Sequence, residues 1–437
     1  MPERGNSNAD EYCDVWCIGA TLFEEFPMEI IEILFAANML AVAGIVLLDF
    51  LHSDTLKLLS AFSLAYFYSA ILPAGAYIAG GQIYAGIDPR YIPDALFLSL
   101  LCLGGLLVAG FLAQFRTQAL VPPAWEPEAP GKISVLIAIA VFSSIFLAAV
   151  YNIDVFFMPK TSDSSALFSL HYKVLLLASV FCCVFISLYW KTGGIAAYGI
   201  IVLTIYCLVF KERDFFLAGL LGALVLYSKK KIGNKSILII AVFALSAFSY
   251  LSVGRSAVFE SFDISTVANQ GSNLFVNTFV TRYFEHTNSE DFYLGQTYYA
   301  SFIDTITLGY VPFRPTLASW LAGEYTGPWG TGGYGFSIEA EAFMNFGYYG
   351  AFGLFLAIGV FLHQAESLAM RGYRSGRIML GWSVMFLMYG IRGESLNIFK
   401  SFMLVVIVAA VFHILDTEAA TRSSIARIER SGTLKRR

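Results

Sequence analysis

Apolar residues in this chain come in long blocks of near twenty, the length that predicts membrane-crossing helices. About eleven such blocks can be marked, over residues 33–50, 56–79, 95–115, 133–156, 174–190, 194–210, 215–227, 237–253, 346–364, 378–391 and 399–415. The blocks are too long for the alternating strands, about ten residues each, of a membrane β-barrel. One interval breaks the pattern. Residues 254–345 are polar and rich in aromatics. A connection of that length between two spans is expected to carry function. The pattern predicts an all-α polytopic membrane protein. It has a tail over 1–32, eight spans within 33–253, a large loop over 254–345, three spans within 346–415 and a basic tail over 416–437.

Composition agrees. The 437 residues are 57% hydrophobic and 14% charged, against about 25% charged in a soluble domain. The formal net charge of −4 identifies no partner, and no nucleic acid is expected; the lipid bilayer is. Sidedness is more informative. Lys229–Lys231 with Lys235, Arg371 with Arg374 and Arg377, and the C-terminal run ending Lys435-Arg436-Arg437 all fall on one side of the eleven-span topology. The positive-inside rule makes that side cytoplasmic. The 254–345 loop and, with an odd span count, the acidic N-terminal tail then lie outside. The first 27 residues lack the basic and then apolar order of a secretory signal.

Few residues offer chemistry. Cys102, Cys182, Cys183 and Cys207 sit within apolar blocks, where cysteine behaves as a small hydrophobe. Cys13 and Cys17 have no second ligand pair, so no metal site is expected. Gly330 to Gly335 fits G-x-G-x-x-G but lacks the preceding strand and following acid of a dinucleotide site. No cofactor is expected. The arginines stand out instead. Arg213, Arg255, Arg282, Arg314 and Arg392 fall on the outer side, against the charge bias. Each alone is explained by snorkelling to headgroups or by a local ion pair. Together they point to a shared anion, because the guanidinium fork suits phosphate oxygens. Glu341 sits just before the ninth span; in the first turns of a helix it would have Asn345 one turn on, and it is either a base or a helix N-terminal charge. Glu339 and His286 are lesser acid–base candidates. Tyr283, Tyr298 and their aromatic neighbours suit either sugar faces or a membrane-interface belt.

These elements resemble a known family in their order. Thr281-Arg282-Tyr283-Phe284, Tyr293-Leu294-Gly295-Gln296-Thr297-Tyr298, Val311-Pro312-Phe313-Arg314-Pro315, Glu341 to Gly350 and Gly390-Ile391-Arg392-Gly393-Glu394 resemble the Wzy-type O-antigen polymerases. The resemblance is clear from about residue 213 to 415. It implies a GT-C-like glycosyltransferase of the bacterial inner membrane with its site facing the periplasm. Such an enzyme moves a growing glycan from undecaprenyl diphosphate onto the next undecaprenyl-diphosphate-linked oligosaccharide. It also implies a chain-length regulator and a flippase in the same pathway. On that reading Glu341, Arg282 and Arg255 are catalytic. Arg213, Arg314, Arg392, Asn345, Tyr283 and Tyr298 bind the diphosphate or sugars. An O-antigen ligase of the same fold, a lipid-linked oligosaccharide flippase or transporter, and a sensor or scaffold without catalysis are the rival readings.

Overall fold

A computed structural model describes residues 28–52, 58–80, 87–114, 132–156, 165–189, 193–210, 273–286, 292–307, 315–326, 335–371, 373–387 and 390–434. Every regular element among them is helical. In chain order these are α1 (Met28–His52), α2 (Leu58–Ile78, with a π turn at Phe67–Ile71), α3 (Ile92–Gln114), α4 (Lys132–Tyr151), α5 (Ser165–Tyr189) and α6 (Gly193–Val209). Then come α7 (Asn273–His286), α8 (Gln296–Ile306), α9 (Leu317–Thr326), α10 (Ile338–Met370), α11 (Arg374–Trp382, continued by a π turn at Ser383–Leu387) and α12 (Ser395–Leu434).

Among the described residues six stretches are long and apolar enough to cross a membrane, in α1, α2, Pro89–Ala113, α4, α10 and α12, and Val174–Tyr189 and Ala197–Val209 are shorter apolar helices. Their polar backbone groups are satisfied within each helix, as hydrocarbon requires. They coincide with expected blocks. The blocks over 215–227 and 237–253 lie outside the described residues. The interval expected as a loop is largely helical where it is described. It holds α7, α8, α9 and the start of α10. Leu274, Phe275 and Val276 of α7 are buried in the same core as α3 and α10.

α10 is two helices. Phe346 (φ −144°, ψ 16°) and Gly347 (φ 62°, ψ −158°) leave the helical region. In a straight helix residues 342 and 350 stand about 12 Å apart. Here a Cβ built on Gly350 would lie 2.9 Å from the Ala342 carbonyl oxygen. The chain therefore folds back, and 338–345 is a short helix packed against the start of the long one over 348–370. The carbonyls of Met344 and Asn345 accept instead from the Tyr293 and Leu294 amides, both at 3.0 Å.

The long helix packs on α3 with almost no side-chain layer between them. A Cβ on Gly105 would come 2.5 Å from the Phe352 carbonyl oxygen, and one on Gly359 2.5 Å from Ala109 Cβ. At the end near Arg374, Asp416 of α12 accepts from Ser134 of α4 at 2.7 Å and from Tyr189 of α5, and lies 3.6 Å from Arg374 of α11. The helix hairpin sits at the other end of the bundle.

The reversal depends on Gly347. A side chain there meets both an unfavourable φ and the Phe292 ring, 2.9 Å from the Cβ position. Gly347→Ala is expected to cost about 1–3 kcal/mol, read as a lower thermal unfolding midpoint in detergent. Gly353→Ala, where a Cβ meets open space, is expected to leave the midpoint unchanged or slightly higher.

Candidate active site

Glu341 is fully buried in the short arm of the hairpin. A buried carboxylate must be met by donors, and each of its oxygens is. Oε1 accepts from the Thr297 hydroxyl and the Ser395 hydroxyl, both at 2.7 Å, and Oε2 accepts from the Ser395 amide at 2.6 Å. Thr297 opens α8 and Ser395 opens α12, so the charge also meets the positive ends of two helices. Asn345, one turn on, completes the knot. Its amide nitrogen donates to Thr297 Oγ1 (2.6 Å) and to the Glu341 carbonyl (2.7 Å). Its amide oxygen accepts from the Gly295 amide at 2.9 Å. Glu341 and Asn345 thus fasten the hairpin to α8 and α12.

Glu339 points to a different helix. Its Oε1 accepts from Asn273 (2.9 Å) and Asn277 (3.1 Å), both on α7. Asn273 also donates to the Ile391 carbonyl at 2.8 Å. Ser337 caps the hairpin by accepting from the Ala340 amide at 3.2 Å, and its hydroxyl donates to Asn277 at 2.8 Å. Arg392 lies in the turn 391–394 that these bonds hold, with its carbonyl oxygen 3.6 Å from the Cβ position of Gly335. Glu394 from the same turn accepts from the Leu317 amide at 2.7 Å and so caps α9.

Arg282 faces elsewhere. Its guanidinium lies 3.9 Å from Asp88, which also holds Arg90 through two side-chain bonds of 2.8 and 3.2 Å. Burial works against the Asp88 carboxylate. The bonds from Arg90 and the charges of both arginines outweigh it and hold its pKa below the ordinary value. One turn beyond Arg282, Glu285 hydrogen-bonds Tyr91. Two arginines therefore share one carboxylate, and Arg90 is a member of this group although nothing in the sequence singles it out.

The aromatics divide. Tyr283 packs edge-on against Trp320 (centroids 5.2 Å apart), and Tyr298 stacks on Phe346 (6.3 Å). Burial, with the Glu341 charge nearby, pushes the Tyr298 phenol well above its ordinary pKa, so it remains a neutral O–H. Lys400 of α12 pairs with Asp304 of α8 at 2.9 Å. Of the residues expected from the sequence, the structure brings together Glu341, Asn345, Tyr298 and the turn bearing Arg392. It sets Arg282 and Tyr283 on α7 apart from them, against Asp88 and Trp320. Arg213, Arg255 and Arg314 lie outside the described residues, as does the His286 side chain. Asn273, Asn277, Thr297, Ser337 and Ser395 had no sequence signal beyond polarity. Among the described residues no group of three or more His, Cys, Asp or Glu could hold a metal ion.

A family model described as O-antigen polysaccharide polymerase Wzy matches residues 88–418, about three quarters of the chain. Neither a curated protein nor a solved structure matches it significantly.

The knot around Glu341 carries a stability prediction. Glu341→Ala strands the buried donors on Thr297 and Ser395, at about 1–3 kcal/mol for each group left unpaired. Glu341→Gln can keep an accepting oxygen and is expected to lose less. A double-mutant cycle of Glu341→Ala with Ser395→Ala, followed by thermal unfolding, should give a coupling energy well above zero. Additive losses would show that the contact does not hold the hairpin to α12.

Proposed function

The chain belongs to the O-antigen polysaccharide polymerase Wzy family, and on that premise we propose that it polymerises undecaprenyl-diphosphate-linked repeat units at the periplasmic face of the inner membrane. The matched stretch, 88–418, carries this reading, because it contains every described element that builds the candidate site. The reaction transfers the growing glycan from its lipid diphosphate to a hydroxyl of the next lipid-linked unit. Loss of the diphosphate is assisted by positive charge placed where the leaving anion forms. We assign this role to Arg282 and Arg392, with Arg213, Arg255 and Arg314 as further candidates from the sequence. Arg90 joins them, since it shares Asp88 with Arg282. Tyr283 and Tyr298 offer ring faces to sugars. Glu341 and Asn345 act by positioning. The bonds on both Glu341 oxygens favour this over the role of base, and they fix the turn that carries Arg392. The architecture in this reading is GT-C-like with about eleven spans, and a flippase and a chain-length regulator work beside it.

Deletion of the gene separates the readings. A polymerase leaves a single repeat unit on lipid A-core and no long chains. Loss of all attached glycan would favour a ligase or flippase. With purified protein and lipid-linked repeat units, a ladder of products is expected. Arg282→Ala and Arg392→Ala should reduce it at least tenfold, with poor rescue by Lys where two oxygens are gripped at once. Arg90→Ala should weaken it too, and an undisturbed ladder would remove Arg90 from the group.

Sidedness is tested separately. Glu324 and Ser375 are both exposed and lie at opposite ends of the bundle. Glu324→Cys in an otherwise cysteine-free chain should react with an impermeant thiol reagent in intact spheroplasts, and Ser375→Cys should not. The reverse pattern would place the site in the cytoplasm.

A further inference from the structure

Deep beside the knot lies a second polar group that the roles above leave unused. Glu339 is fully buried, and both of its bonds fall on one oxygen. Its other oxygen, Oε2, has no hydrogen-bond partner. Two phenols nearby are in the same condition. Tyr66 is fully buried beside Ser99, Cys102 and Glu339, yet its hydroxyl makes no well-formed hydrogen bond. Tyr298, between Glu341 and Cys102, has an unpartnered hydroxyl as well. A fully buried carboxylate oxygen without a partner is rare in a folded protein, where nearly all such atoms are paired. The chemistry of the three polar atoms is complementary to one kind of group. A hydroxyl can donate to the free carboxylate oxygen and accept from one phenol O–H, which leaves its second lone pair for attack.

We propose that Glu339, Tyr66 and Tyr298 form an interior subsite for a hydroxyl of the incoming repeat unit, with Glu339 as the proton acceptor. The inference rests on the polymerase reading and adds the catalytic carboxylate that Glu341 does not supply. The step balances without a co-reactant. The acceptor oxygen forms a bond to the anomeric carbon as the bond from that carbon to the diphosphate oxygen breaks. The electron pair leaves with the diphosphate, and the hydroxyl proton passes to Glu339 Oε2. The Asn273 and Asn277 amides hold the other oxygen, so the carboxylate keeps its orientation.

The test uses the full-length protein in nanodiscs with lipid-linked repeat units. Glu339→Gln keeps the acceptor oxygen for Asn273 and Asn277 and is expected to fold. It should slow elongation by about 10²-fold or more, the usual contribution of a positioned base, and remove the acidic limb of the pH–rate profile. Glu339→Asp should restore part of the rate. Tyr298→Phe, which deletes only the free hydroxyl, should raise KM for the acceptor more than it lowers kcat. The unfolding midpoint of each variant checks that the fold survives. A Glu339→Gln protein with a normal midpoint, a rate within about threefold of the parent and an unchanged pH profile would leave a water site only and overturn the proposal. If the parent protein itself makes no ladder, the polymerase reading fails. An active parent with an active Glu339→Gln protein sinks this inference alone.

Discussion

The break at Phe346 and Gly347 is the constraint on which the rest of the site depends. A helix that reverses frees carbonyls that continued helix would have paired, and in apolar surroundings they must find other donors. The amides of Tyr293 and Leu294 supply them. That docking brings Gly295 and the start of α8 against Asn345, and through Thr297 against Glu341. Glu341 then reaches Ser395 and fixes the start of α12. A single reversal thus gathers three chain segments that are far apart in sequence. Without it, the short arm would continue along the long helix and carry Glu339 and Glu341 away from α7, α8 and α12.

The two carboxylates of the short arm show how position decides role. They stand two residues apart and so face different sides of a helix. Glu341 faces α8 and α12 and has donors for both oxygens. Glu339 faces α7 and has donors for one. The same residue type, equally buried, is closed in one case and open in the other. Helix periodicity alone divides them between holding the fold and leaving an oxygen for a ligand.

Much of the bundle was legible because membrane helices carry a strong local signal. The blocks expected at 33–50, 95–115 and 399–415 fall within α1, near α3 and within α12. Asn345 was legible as the partner of Glu341 at one-turn spacing. The hairpin was not, since Phe346-Gly347 reads equally well as the start of a span. Nor were Asn273, Asn277, Thr297 and Ser395. Their partners lie dozens of residues away, and a lone Asn, Thr or Ser has no periodicity to announce it. Arg90 was passed over for a related reason. Its link to Arg282 runs through Asp88, nearly two hundred residues before α7, and no local pattern joins them.

The backbone contact between α3 and the long arm of α10 limits how this molecule can move. Helices separated by a layer of flexible side chains can slide past one another as that layer repacks. Here Gly105 meets the Phe352 carbonyl and Gly359 meets Ala109 directly. Sliding by one residue would drive a side chain into backbone that cannot yield. The pair behaves as a fixed post. Any rearrangement within the bundle therefore falls to the elements hung on the post, the short arm of α10, α7 and the 391–394 turn.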